Sequence, residues 1–231
     1  MDRSMKPLDV VYGSAAAGDR QLVLRNTYAL LALSMLPTVL GAWLGVVMGF
    51  SFFAGSPFIG LMVFMGVAFG FFFAIEKFKN SGLGVVLLLG FTFFMGLMLS
   101  RMLGHVLGLS NGASLIATAF GGTALVFGGM ATLASTMKRD VSSLGKWLFV
   151  GLMVMIVAAV ANIWLQMPAL YLALSAMGVV IFSAFILYDL KRIIDGGETN
   201  YVTATLSVYL SVYNLFSSLL HLLTALGGGD D

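Results

Sequence analysis

The stretch YVTATLSVYLSVYNLFSSLLHLLTAL, residues 201–226, is the part of the chain that decides the fold. It is long enough to cross the roughly 30 Å hydrocarbon core of a membrane as a helix. Five polar side chains follow one another in it at spacings of four, three, four and three residues, which places them on one helical face. They are Ser207, Ser211, Asn214, Ser218 and His221. Because a polar face is costly toward lipid, we expect it to point into a bundle, either bridging neighbouring helices or lining a water-accessible cavity.

Six further apolar segments of similar length precede this stretch. The seven predicted spans are 27–50, 57–75, 83–100, 112–134, 146–165, 169–190 and 201–226. The composition agrees, because 60% of the residues are hydrophobic and only 10% are charged. Spans in lipid must satisfy their own backbone hydrogen bonds, which favours helices here. The predicted fold class is an all-α membrane protein, a seven-transmembrane helix bundle with a central polar seventh helix.

Basic residues alternate along the chain with the predicted spans. Eleven of the twelve Lys and Arg fall on one side of the predicted topology, and Arg101 is the exception. The positive-inside rule then predicts a cytoplasmic N-terminus and, after seven spans, a C-terminus outside. The predicted organisation is a flexible cytoplasmic tail over 1–25, a transmembrane domain over 26–226 and a short C-terminal tail over 227–231. The scattered basic residues suit anionic lipid headgroups of the bilayer, and we do not expect nucleic-acid binding.

Glycines recur every four residues in the first span, at Gly41, Gly45 and Gly49, and again in the second, at Gly66 and Gly70. Small-residue ridges of this kind let helix backbones approach closely. The pattern predicts close packing, either within one chain or between two copies, and it does not separate these two cases.

Two acidic residues lie at the edge of the predicted bilayer, whereas the others fall in tails or loops. Glu76 is next to Lys77, which is typical of a pair at the membrane interface. Asp189 ends an apolar run, and Arg192 follows it by three residues on the same predicted helix. This spacing allows an ion pair. Asp189 is therefore interpreted either as an ion-paired helix end or as a carboxylate that responds to protons or cations.

Residues that carry catalysis are sparse in this chain. The sequence has no cysteine, which excludes thiolate metal sites, iron–sulfur clusters and disulfides. Ser218 and His221 are separated by three residues, but no acid lies near them to orient the histidine as a base. We therefore predict a protein that is not an enzyme and that holds no cofactor or metal.

Several stretches resemble the Bax inhibitor-1 family of membrane proteins, in particular its bacterial YccA branch. The resemblance spans the whole chain, and the GGETNY segment followed by a YNLF helix is its most specific part. The similar stretches are VLRNTY at 23–28, GGTALVF at 121–127, KRD at 138–140, VANIWLQMPAL at 160–170 and ILYDLKRIIDGGETNYVTATLSVYLSVYNLFSSLL at 186–220.

This resemblance implies a seven-helix bundle around a central seventh helix in a bacterial inner membrane, and it implies two activities. In the broad family, an aspartate pair on helices six and seven shares a proton and gates a pH-sensitive leak of calcium. Here Asp189 matches the first aspartate, but Ser211 stands at the position of the second. A serine cannot share the proton, so the pair mechanism is incomplete, and an oxygen site with one carboxylate fewer should bind Ca²⁺ more weakly.

The YccA branch implies a modulator that interacts with and inhibits the membrane AAA protease FtsH, together with its prohibitin-like associated complex. A polar N-terminal tail that starts with Met1, Asp2 and Arg3 is suited to be the segment that engages the protease, because it is too poor in apolar residues to fold alone. The predictions are therefore a protease modulator or, as the alternative, a calcium or proton leak centred on Asp189 with Ser211 and Arg192.

Overall fold

Seven helices make up the described part of the chain. The structure, a computed structural model, describes residues 7–50 and 57–227, without the side chains of residues 7–17 and 57. The helices are α1 Pro7–Val47, α2 Pro57–Phe78, α3 Gly82–Leu107, α4 Gly112–Thr136, α5 Ser142–Leu165, α6 Pro168–Ile194 and α7 Tyr201–Gly227. All seven contain a segment long and apolar enough to cross a membrane. The predicted fold class is confirmed.

The helix boundaries agree with the predicted spans to within four residues, except at the end of α3, which runs seven residues beyond the predicted 100 to Leu107, and at the start of α1. That helix begins at Pro7, twenty residues before the predicted span, and its membrane-crossing part is Gly18–Val47. Pro7 is at its first position, where the missing amide hydrogen is not needed by the helix. Residues 7–25, predicted as a flexible tail, are thus continuous with the first span. Met1, Asp2 and Arg3 lie outside the described residues, and the division of the chain into tail and membrane domain stays a prediction.

The closest helix crossing joins α1 to α3 through two glycines. A Cβ atom on Gly41 would lie 2.2 Å from the carbonyl oxygen of Phe93, and a Cβ atom on Gly96 would lie 2.1 Å from that of Thr38. Only hydrogen fits at either position, because real Cβ atoms do not come within 3.0 Å of such neighbours. The first-span glycine ridge therefore serves packing within one chain, at least at this crossing.

Helix α7 is central, because it packs against α1, α2, α3, α4 and α6. Two tyrosines on it bond to the α1 and α3 helices behind it. The hydroxyl oxygens of Tyr209 and Thr38 lie 2.9 Å apart, and the Tyr213 hydroxyl donates to the carbonyl oxygen of Met95 at 3.1 Å. Polar side chains on α7 therefore bond to neighbouring helices on this side of the bundle.

Three loops that contain or adjoin basic residues lie at one end of the bundle. We call this end, formed by residues 79–81, 137–141 and 195–200, the basic end. The Asn200 carboxamide donates to the carbonyl oxygen of Lys79 there, and the side chain of Arg20 lies against Gly196. Asp140, in the 137–141 loop, accepts hydrogen bonds from the backbone and hydroxyl of Ser142, which lower its pKa. At the opposite end, the Asn111 carboxamide donates to the Gly227 carbonyl at 2.7 Å.

Candidate functional site

Asp189 and Ser211 meet in the interior of the bundle, one on α6 and the other on α7. The Ser211 hydroxyl donates to the Asp189 carboxylate with 3.0 Å between the oxygens, and it also lies 3.1 Å from the carbonyl oxygen of Ser207. Asp189 is 9% exposed and Ser211 is 5% exposed. The two residues that the sequence singled out from different helices are thus direct neighbours.

Arg192 does not pair with Asp189, as the spacing on α6 suggested. Its guanidinium forms an ion pair with Glu198 at 3.3 Å, and its Nε atom donates to the carbonyl oxygen of Gly197 at the same distance. The side chain bends toward the 195–200 loop because the chain turns back at Gly196, whose φ of +80° suits glycine. Within residues 7–50 and 57–227, Asp189 makes no ion pair.

The 195–200 loop forms a cap over Asp189 at the basic end. One carboxylate oxygen of Glu198 accepts hydrogen bonds from the backbone of Thr199, the backbone of Asn200 and the hydroxyl of Thr203. Its other oxygen pairs with Arg192. Glu198 thus holds the turn that leads into α7, whereas Asn200 is the capping residue of that helix, because its side-chain oxygen accepts hydrogen bonds from the amides of Val202 and Thr203.

A void of about 10 Å³ separates this cap from the buried carboxylate. It is close to the smallest volume that holds one water molecule. Its lining consists of Asp189, Arg192, Ile193, Glu198, Ala204 and Ser207. At the basic end, the 195–200 loop and the ion pair between Arg192 and Glu198 therefore cover Asp189.

On the other side of Asp189 a much larger cavity extends along α7. Its volume is about 950 Å³, and the whole predicted polar row lines it. The row comprises Ser207, Ser211, Asn214, Ser218 and His221. The stripe therefore faces a cavity, although some members also bond to the backbone of their own helix, as Asn214 does to the carbonyl oxygen of Leu210. The opposite wall is apolar, with phenylalanine and methionine side chains from α2, α3 and α5.

Sequence reasoning missed four polar residues that line the cavity, among them Ser217 of α7, whose hydroxyl donates to the carbonyl oxygen of Tyr213. Asn162, Tyr171 and Ser175 line it from α5 and α6, yet each is an isolated polar residue in an apolar span, so no periodic signal marked them. His221, predicted as part of the inward-facing row, is partly buried and meets the Tyr171 ring edge-on at 4.9 Å between centroids.

Chemically, the site offers one carboxylate, several hydroxyls and carboxamides, and one imidazole. No group of three or more His, Cys, Asp or Glu residues gathers in a metal-binding arrangement in the described ranges. A Ca²⁺ cage takes six to eight oxygen ligands, often from several carboxylates. The arrangement around Asp189 therefore suits weak cation contact or proton exchange better than tight metal binding.

These features define a class: a multi-pass membrane protein with a central polar helix, a buried carboxylate and an interior cavity. The family described as "Inhibitor of apoptosis-promoting Bax1" matches residues 20–228. The chain belongs to this Bax inhibitor-1 family.

Relatives in several bacteria extend the match to nearly the full length. The Escherichia coli K12 protein named modulator of FtsH protease YccA is 41% identical over 87% of this chain and 89% of its own. A Neisseria meningitidis serogroup B protein is 40% identical over 96% of this chain and 99% of its own. A Vibrio cholerae membrane protein is 38% identical over 90% of this chain and 91% of its own. A second YccA protein, from Escherichia coli O6:H1, is named inner membrane protein YccA. Together with the seven candidate membrane spans, this confirms the prediction of a multi-pass inner-membrane protein.

Proposed function

We propose that this protein modulates a membrane protease of the FtsH type, as a non-catalytic binding partner that restrains its activity. The observation that carries the proposal is the 41% identity to the Escherichia coli protein named modulator of FtsH protease, over nearly nine-tenths of both chains. From the resemblance of this chain to the YccA branch, we also propose the prohibitin-like complex of the protease as a second partner.

The protease would meet the basic end of the bundle, which we place in the cytoplasm by the positive-inside rule. Helix α1 reaches this end, and its Arg20 side chain lies against Gly196 in the loop that caps Asp189. The N-terminal segment that begins with Met1, Asp2 and Arg3 thus leads directly to a helix docked at the cap. A protease that pulls on this segment would exert force on the 195–200 loop and on the buried Asp189–Ser211 contact beneath it.

The experiment is co-purification of the protease with tagged versions of this protein from bacterial membranes. Deletion of residues 1–6 or of residues 1–17 should weaken capture at least tenfold if the N-terminal segment makes the contact. Deletion of residues 228–231, at the other end of the chain, is the matched control and should leave capture unchanged. Loss of capture in the control as well would show general damage, and full capture after both N-terminal deletions would refute the role of the segment.

A second candidate function is a pH-sensitive leak of calcium or protons, and one observation favours it. Asp189 lies at the point where a cavity of about 950 Å³ ends and only the cap of residues 195–200 remains. A buried carboxylate at such a constriction is suited to proton-dependent gating. Ser211 donates to it but adds no charge, so we propose a weaker pH response than an aspartate pair would give.

This candidate is tested by calcium flux into liposomes that contain the purified protein, across a range of pH. Asp189→Asn keeps the shape of the side chain and should abolish the pH response. Asp140→Asn makes the same chemical change in an exposed loop and should leave the response unaltered. Absence of flux above that of empty liposomes, from folded protein, would reject the leak and leave the modulator function in place.

A further inference from the structure

The large cavity has a side opening between α2 and α5. Helix α2 packs on α3 and α7, and α5 packs on α6, but in the described chain α2 and α5 share no packed interface. Side chains that line the cavity are exposed on both edges of this gap, at Met65 and Phe69 of α2 and at Met153 and Ile156 of α5. Because these helices cross the membrane, the gap opens toward lipid hydrocarbon rather than toward water.

The dimensions of the cavity suit a thin, elongated molecule. It follows α7 from Ser207 to His221, a distance of about 21 Å at the rise of an α-helix. An extended hydrocarbon chain fits within about 950 Å³ over that length.

The lining also has the character of a site for an apolar ligand with one polar end. Pockets for small ligands are mostly apolar with a few placed polar groups. Here Phe72, Phe91 and Phe182 form part of the apolar wall in the middle of the bundle.

Polar groups gather where the cavity approaches the end opposite the basic end. Tyr171 is three residues from the start of α6, and Asn162 is three residues from the end of α5. Among the described residues, the Tyr171 hydroxyl and the His221 imidazole have no hydrogen-bond partner, and Asn162 uses only its oxygen, for the Met167 amide. These groups are available to a ligand at the depth where lipid esters and headgroups lie.

We propose that this cavity binds one acyl chain of a membrane phospholipid. The chain enters between α2 and α5, lies along the aromatic wall, and leaves its ester and headgroup beside Asn162, Tyr171 and His221. Phospholipid is the ligand because it is the apolar molecule that surrounds the opening at high concentration. The bound chain would fill the space between α2 and α5 and hold these two helices at a fixed separation.

The test is photo-crosslinking in nanodiscs of phosphatidylethanolamine and phosphatidylglycerol. A small fraction of the phosphatidylethanolamine carries a diazirine on its acyl chain, and labelled residues are identified by mass spectrometry. We expect labelling of two cavity residues, the buried Phe91 and the partly buried Met155, in addition to the lipid-facing Phe73, which is 75% exposed. Labelling of Phe73 with none at Phe91 and Met155 would overturn the proposal.

A matched pair of substitutions on α5 separates the cavity from the general lipid surface. Ala159→Trp places an indole in the cavity and should reduce labelling of Phe91 and Met155 at least tenfold. Val157→Trp places the same side chain on a lipid-facing position, 69% exposed and outside the lining, and should not change it. Equal labelling in both variants would overturn the proposal.

The absence of native cysteine allows a second test that does not depend on filling the cavity. Asn214→Cys places a single thiol in the polar row, and His105→Cys places one at an exposed position near the end of α3. With an acyl chain in the cavity, a charged thiol reagent should modify the first at least tenfold more slowly than the second. Equal rates of modification would show a water-filled cavity. In native membranes, capture of a polypeptide by a photoreactive residue at Met155 would show a protein ligand. Either result would contradict the proposal.

Discussion

Replacing Gly96 by alanine should separate the two most closely packed helices of the bundle. The new methyl group would lie 2.1 Å from the carbonyl oxygen of Thr38, so α1 and α3 must move apart by about 1 Å to reach the 3.0 Å below which such contacts do not occur. Overpacking of this kind costs about 1–3 kcal/mol. Alanine is a better helix former than glycine by about 0.5–1 kcal/mol, which offsets part of this cost. A net loss of about 1–2 kcal/mol lowers the ratio of folded to unfolded protein by roughly 5- to 30-fold.

Thermal unfolding in mild detergent measures this effect. For a chain of this size, 1 kcal/mol corresponds to about 2–4 °C in Tm, so Gly96→Ala should lower Tm by about 2–8 °C. Gly41→Ala meets the Phe93 carbonyl in the same way and should behave alike. Gly66→Ala is the control, because a Cβ atom there meets no neighbour within 4 Å, and its Tm should stay unchanged or rise. If Gly96→Ala and Gly66→Ala had the same Tm, the close α1–α3 crossing would be incorrect.

Other predictions concern the carboxylate and its cap. Ser211→Ala removes the donor to Asp189 and should destabilise the fold by about 1–3 kcal/mol at neutral pH, measured as a lower Tm, whereas Ser211→Cys keeps a weak donor and should lose less. Ser211→Asp restores a carboxylate pair and should strengthen any pH-dependent calcium flux into liposomes; an unaltered flux would show that the pair does not gate it. Glu198→Gln weakens the half-exposed pair with Arg192 and should cost at most about 1 kcal/mol, whereas Glu198→Ala also removes the acceptor for two backbone amides and for the Thr203 hydroxyl and should cost more. Equal Tm values for these two Glu198 variants would show that its hydrogen bonds do not stabilise the turn before α7.

Much of the fold was predictable because membrane spans carry a strong signal in single sequences. Length and apolar composition located all seven helices, and the four–three spacing on α7 predicted which face turns inward. The start of α1 was not predictable, because residues 7–26 include four charged residues and the hydropathy pattern does not reveal a helix that extends beyond the membrane. Helix propensity alone gives no sharp boundary there.

The candidate site was predictable only in part. Asp189 and Ser211 stood out as a rare intramembrane carboxylate and as a member of a polar row, and the structure brings them within 3.0 Å. The ion pair of Arg192 was predicted incorrectly, because spacing along α6 does not reveal that the chain turns at Gly196 and returns Glu198 to the guanidinium. The side opening between α2 and α5 depends on how helices distant in sequence pack, and no local pattern encodes it.

The central claim is that this membrane bundle restrains an FtsH-type protease. The most direct measurement is the rate at which the purified protease degrades a model membrane substrate in proteoliposomes, with and without an excess of this protein. The proposed function predicts degradation at least severalfold slower when the protein is present, with recovery of the rate when residues 1–17 are deleted. An unchanged rate in the presence of folded, full-length protein would contradict the claim.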